Sequence, residues 1–184
     1  MRHLYFTRHG QTIWNVENKI CGATDIPLTD LGHQQAISLG KQIATGSYHI
    51  DEILCSPLCR AAETARHISE ETGIPLQVEP RLREQNFGRF EATARNGEEF
   101  QNAKRCFINH FDTGESMFQM AQRIYNLLDD IKNDPDDKTY LLVAHNGIAR
   151  VIRSYFYDMT NEEYARFGID NCQVLEFTWE EEAN

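Results

Sequence analysis

A chain of 184 residues has room for one domain whose core hides about two-thirds of the unfolded surface, so a single domain over residues 1–184 is expected. Its 41% hydrophobic and 25% charged residues are those of an ordinary globular protein, and no apolar run approaches the roughly 20 residues of a membrane span, which argues against an integral membrane protein. Eighteen basic residues against 28 acidic ones leave a formal charge of −10, which opposes binding to nucleic acid or to a phospholipid surface but not to a small anion, because a small ligand responds to the local field of one cleft.

The opening MRHLYF has no long apolar stretch and no small-residue cleavage site, so a cytoplasmic location is expected. Residues 2–7 predict a strand that gives way to Arg8, His9 and Gly10, and QTIWNVEN (11–18) reads as a short helix or loop. LTDLGHQQAISLGKQIATG (28–46) predicts a helix capped by Thr29 or Asp30, apolar at Leu31, Ala36, Leu39 and Ile43, and stopping near Gly46. DEILCSP (51–57) predicts a short strand ending at Ser56 and Pro57, followed by a helix over 58–73 that Gly73 closes. IPLQVEP (74–80), bracketed by prolines, predicts a third strand, and RLREQNFGRF (81–90) lacks any period and reads as a functional loop.

Residues 97–134 predict two helices interrupted near Thr113 and Gly114, with Phe100, Phe107, Met117, Met120, Ile124, Leu127, Leu128 and Ile131 on their apolar faces. KTYLLVAHNG (138–147) is a continuous apolar run ended by a turn, the mark of a buried central strand. IARVIRSYFYDM (148–159) predicts a helix, and QVLEFTW (173–179) a last strand at an edge. The five cysteines, Cys21, Cys55, Cys59, Cys106 and Cys172, are odd in number and irregularly spaced, which predicts reduced thiols; Cys55 and Cys59 match no common zinc pattern.

Strands alternating with helices predict an α/β fold: a three-layer α/β/α arrangement with a mostly parallel central sheet. In such sheets ligands bind beyond the carboxyl ends of the strands. Those ends carry Arg8 and His9 after the first strand, Ser56 and then Arg60 after the second, Arg81, Arg83 and Glu84 after the third, and His145 after the central run. Arginine forks match phosphate oxygens, a neutral imidazole can attack phosphorus, and a carboxyl group can protonate a leaving oxygen and later activate water. There is no GxxxxGK[ST] loop and no carboxylate cluster for a divalent ion, so neither cofactor nor metal is expected. Gly10 would permit a tight turn whose backbone N–H groups assist in holding the phosphoryl oxygens.

TRHGQTIWN resembles the signature motif of the histidine phosphatase superfamily, the phosphoglycerate mutase-like proteins. SPLCRAAETA resembles that family's second-arginine motif, RLREQNFGRFEA its proton-donor motif and LLVAHNGIAR its second-histidine motif, and the four in order span nearly the whole chain. The resemblance implies that His9 is the nucleophile, that Arg8, Arg60 and His145 form the phosphate pocket, and that Glu84 is the proton donor. Asn15, Cys21, Gly22 and Asn146 stand at positions that contact phosphate or substrate, although threonine is commoner than cysteine at the place of Cys21. Phe90, Glu91 and Ala92 stand where the family often has Trp-Glu-Gly.

The cofactor-dependent mutases of the family carry an added segment after the proton donor that encloses the site, and this chain has no room for it. The resemblance therefore implies a metal-independent phosphomonoesterase, a histidine acid-type phosphatase acting on a small phosphorylated metabolite. The alternatives are a phosphoglycerate mutase or related phosphotransferase, and a noncatalytic phospholigand-binding protein. Residues 87–118, with Phe100, Lys104, Arg105, Phe107 and Phe111, form the expected lid, although any one of its aromatics taken singly reads more readily as core. Sugar phosphates, a phosphoglycerate and a cofactor-precursor phosphate all fit, and a monomer or homodimer is expected because the acidic end EEEAN disfavours pairing along the last strand.

Overall fold

In the computed structural model, which describes residues 2–180, the strand order follows from which apolar runs are buried on both faces. Strand β1 (Arg2–Arg8) buries four consecutive residues and lies parallel to the likewise buried β4 (Tyr140–Ala144). β2 (Glu52–Cys55) pairs in parallel with β4 on one side and with the short β3 (Leu76–Val78) on the other. β5 (Val174–Trp179) closes the other edge antiparallel to β1, giving the order β3-β2-β4-β1-β5. The mostly parallel sheet and its edge strand are as the sequence predicts; the residues 181–184 of the acidic end lie outside the described residues.

Side chains alternate between the two faces of the sheet, so each buried strand feeds two cores. Leu4, Phe6, Leu142 and Ala144 meet helices α5 (Met117–Lys132) and α6 (Asn146–Phe156), while Tyr5, Leu141, Val143 and Ile53 meet α2 (Asp30–Thr45) and α3 (Cys59–Thr72). Thr29 caps α2 by accepting the Gly32 amide, and Gly73 ends α3 in the left-handed region at φ 74°. Ser116 and Gln119 form a reciprocal capping box at the start of α5, whose Met120, Ile124, Leu127, Leu128 and Ile131 are buried.

Several expected boundaries move. Leu31 is exposed, because the buried stripe of α2 runs through Gly32, Ala36, Leu39, Gly40 and Ile43 and residue 31 stands off it. The loop after β3 contains two 3-10 turns, at Pro80–Leu82 and Gly88–Phe90. The break between the two predicted helices is far wider than Thr113 and Gly114: α4 (Glu98–Lys104) ends early and α5 starts at Met117. Between them Phe111 and Asp112 adopt positive φ, and the Glu115 amide donates to the Asn86 carbonyl, so this stretch packs backbone against the 86–90 loop instead of coiling. α6 starts two residues earlier than expected and stops at Phe156, and a further helix, α7 (Asn161–Arg166), is capped by Thr160 and Glu163. α1 (Ile13–Val16) is a single turn.

Phe100 and Phe111, within the segment read as a lid, are core residues of a small third cluster with Ile20 and Phe90. Among the described residues no helix is long and apolar enough to cross a membrane.

Candidate active site

Because Arg8 of β1 is paired with Ala144 of β4, the next residue of each strand, His9 and His145, emerges at the same place on the sheet edge. Their ring centroids are 5.2 Å apart. His9 Nδ1 lies 2.7 Å from the Gly10 carbonyl oxygen, which can only accept, so Nδ1 carries the proton and Nε2 keeps its lone pair. Burial, then the Arg60 and Arg8 charges, hold the conjugate acid of His9 well below the ordinary imidazole range, so the ring is neutral.

Gly10 is needed for a different reason from the one its sequence context suggests. Its φ is not positive; instead a Cβ there would collide with the carbonyl of Gly32 in the first turn of α2. Nor are the amides beyond it free to hold a ligand: those of Gly10, Gln11 and Thr12 donate to Thr64 Oγ1, Gln35 Oε1 and Asn15 Oδ1. Side chains, not this turn, must therefore supply the anion contacts.

His145 precedes α6 and meets Ser56 at the end of β2, Nε2 to Oγ 2.7 Å. The Ser56 oxygen accepts the Leu58 amide and can donate its hydroxyl hydrogen to Nε2, which leaves His145 Nδ1 as the nitrogen able to present a proton to the cleft. Arg60, 1% exposed, donates from Nη1 to the Thr24 carbonyl and from Nη2 to the Gly22 carbonyl. Arg8 donates from Nη1 to Ile169, and burial together with the nearby Arg95 charge pushes its pKa down to about 10. Arg8 Nε, Arg60 Nε and His145 Nδ1 are all buried and make no hydrogen bond among the described residues. Buried donors are nearly always satisfied, and three orphans around one histidine define an anion cradle.

Glu84 is buried opposite, its Oε1 accepting the Gln85 amide and its Oε2 the Gly147 amide, both at 2.9 Å. A Cβ on Gly147 would strike this carboxylate. Arg81 and Arg83, expected beside Glu84, are not brought into the site: Arg81 pairs with Glu79 and Asp130, and the half-exposed Arg83 faces Glu115. Side chains of an irregular segment diverge, and of these three only Glu84 lines the cleft.

The cleft between His9 and Glu84, about 120 Å³, is also lined by Asn15, Cys21 and Asn146. Asn15 and Asn146 each spend the amide oxygen on a backbone N–H, of Thr12 and Ile169. Burial pushes the Cys21 thiol up to about 11, so it stays protonated, and its sulfur faces the Thr24 carbonyl. Gly22 does not line the cleft. Its amide donates to Glu91, whose carboxylate also gathers the amides of Ala23, Thr24 and Phe87. Glu91 thereby fixes the carbonyls that hold Arg60.

Three further cations face the cleft: Arg95, Lys104 and Arg150. Among the described residues none of them makes an ion pair. Burial, then the Arg150 charge, pushes Lys104 down to about 8. Arg95 and Arg150 escape the motif reading. Arg150 was findable, since it follows Asn146 by four residues and so shares its helix face; Arg95 lies in an irregular stretch with no such signal. Asn171, whose Nδ2 donates to the His9 carbonyl at 2.7 Å, is likewise invisible in the sequence.

Residues 4–184 match the family model described as histidine phosphatase superfamily, branch 1. Among curated relatives, the protein named probable phosphoglycerate mutase GpmB of Escherichia fergusonii is 32% identical over 190 residues, covering 98% of this chain and 86% of its own. The protein of the same name from Erwinia tasmaniensis is 30% identical over 181 residues, covering 95% and 83%. Among solved structures, a mycobacterial glucosyl-3-phosphoglycerate phosphatase superposes with a TM-score of 0.83 at 25% identity, over 97% of this chain and 91% of its own. The alpha-ribazole phosphatase from Shigella flexneri superposes with a TM-score of 0.80 at 25% identity, over 95% and 89%.

Proposed function

The chain belongs to the histidine phosphatase superfamily, and from that premise we propose that it is a metal-independent phosphomonoesterase that works through phospho-His9 with Glu84 as acid and base. The observation that carries this reading is the cradle of three unsatisfied buried donors, Arg8 Nε, Arg60 Nε and His145 Nδ1, around a neutral imidazole with its lone pair free.

His9 Nε2 attacks phosphorus and forms the P–N bond as the P–O bond to the leaving group breaks; Glu84, entering protonated, gives its proton to the departing oxygen. The Glu84 carboxylate then takes a proton from water, whose oxygen attacks the phosphohistidine, releasing inorganic phosphate and restoring His9. Arg8, Arg60, His145 and Asn15 carry the charge on the equatorial oxygens, the task a divalent ion performs elsewhere.

The substrate is a small phosphorylated metabolite with a second acidic group. The cleft presents Arg8, Arg95, Lys104 and Arg150 against one carboxylate, Glu84, with Arg60 behind it, which is more positive charge than a phosphate dianion neutralises. Lys104 and Arg150 are partly buried and form no ion pair among the described residues, and such cations bind a second carboxylate or phosphate well.

Transfer in place of hydrolysis is the second reading, favoured by the mutase name of relatives 30% and 32% identical. A coupled assay in which 2- and 3-phosphoglycerate interconvert faster than phosphate is released would establish it. For the leading reading, His9→Ala should lower release of phosphate from a generic aryl phosphate to about a thousandth or less, with a chelator leaving the wild-type rate unchanged. Wild-type turnover by His9→Ala would end it.

A further inference from the structure

On the opposite side of the nucleophile loop from the cleft, α2 and α3 lie against each other and bring His33, Glu63 and His67 together. One ligand atom from each lies within 4.8 Å of the others, and His33 Nδ1 is 2.9 Å from His67 Nε2. None of the three lines the cleft. We propose that these residues bind a borderline divalent transition ion of the Zn2+ class, clamping α2 to α3 behind the nucleophile loop.

The donor set is the first argument. Two imidazoles and one carboxylate suit zinc, cobalt or nickel and are unsuited to magnesium or calcium, and three protein ligands with a water complete a tetrahedron. Glu63 and His67 are four residues apart on α3 and therefore share a face, while His33 reaches across from the first turn of α2. The outer shell is the second argument. His67 Nδ1 faces the Glu70 carboxylate at 3.7 Å, longer than a hydrogen bond, and its Nε2 is turned toward His33. Arg66 takes one oxygen of Glu63, Oε2, at 2.6 Å and leaves Oε1 to ligate. When the ion enters, the ring that held the proton between the two nitrogens takes it on its far nitrogen by exchange with solvent, so both imidazoles ligate in the neutral form.

The position gives the clamp its consequence. Gly32, next to His33, is the residue whose carbonyl abuts Gly10, and Thr64, next to Glu63, accepts the Gly10 amide. An ion here ties together the two helix segments that brace the loop carrying His9, without touching the phosphoryl path.

The test is titration of the chelator-stripped whole chain with Co2+ and Zn2+, followed by calorimetry, the visible ligand-field spectrum and Tm. One equivalent should bind with a tetrahedral Co2+ spectrum and raise Tm. H33Q and H67Q should each weaken binding at least tenfold, and the double variant should lose the spectrum. Circular dichroism establishes that the variants are folded. Absence of binding by the wild type, or unchanged affinity and spectrum in the folded double variant, overturns the proposal. No readout depends on phosphatase activity, so its failure and that of the catalytic reading are separate results.

Discussion

His9 owes its protonation state to its surroundings: burial and two arginines disfavour the imidazolium. The same holds for His145, whose pKa burial and Arg60 lower well below the ordinary value. Two pH effects follow. The acid limb of kcat/KM should lie below pH 6.5, because the nucleophile stays neutral there, and a rate already halved at 6.5 would contradict it. Stability should fall as pH drops from about 6.5 towards the depressed folded values, since the unfolded chain binds protons in that window that the folded one refuses. Tm measured from pH 7 downward checks this, with a smaller slope expected of His145→Phe. Ala92 shows another residue-scale effect. It sits at φ 65°, a left-handed conformation, at the place where the family often has glycine. Ala92→Gly should stabilise by roughly 1 kcal/mol in denaturant unfolding, and a destabilised variant would refute the strain. Arg8, His9, Arg60, Glu84 and His145 were legible because each follows a strand end that the apolar pattern marks. Arg81 and Arg83 were misjudged because nothing in an aperiodic loop tells which neighbour turns inward.

At the scale of elements, the proposed catalytic groups are held by backbone contacts that only glycine allows. Gly147 opens α6 and donates to Glu84, and any side chain there would push the carboxylate aside. Gly147→Ala should therefore lower kcat about tenfold to a hundredfold with Tm little changed; equal losses of activity and folding would mean a general packing defect instead. The strands and long helices were readable from apolar period and caps: Thr29 and Gly73 bound α2 and α3 as expected. The stretch between α4 and α5 was not readable, because its path is set by hydrogen bonds to residues 86–89, distant in sequence. α7 carries a Thr160–Glu163 capping box but buries none of its residues, so no apolar period announced it. The taken amides of Gly10, Gln11 and Thr12 show the same limit, since their acceptors come from α1, α2 and α3.

The whole molecule joins a formal charge of −10 to a cleft lined by four cations. The net field repels polyanions, while the local one favours a small anion with more than one acidic group. Lys104→Met should lower kcat/KM roughly tenfold to a hundredfold for a phosphorylated acid such as 3-phosphoglycerate, yet hardly change it for glycerol 3-phosphate, which lacks the carboxylate. Equal losses on both esters would return Lys104 to a purely structural place over the Phe100 ring. The measurement that bears most directly on the whole account is trapping of the phosphoenzyme. Rapid quenching of a reaction with a labelled phosphoester should give one acid-labile, base-stable phosphoryl group per chain, mapped to His9 and prolonged in Glu84→Gln. Steady hydrolysis with no label on His9, or with the label retained in His9→Ala, would contradict it.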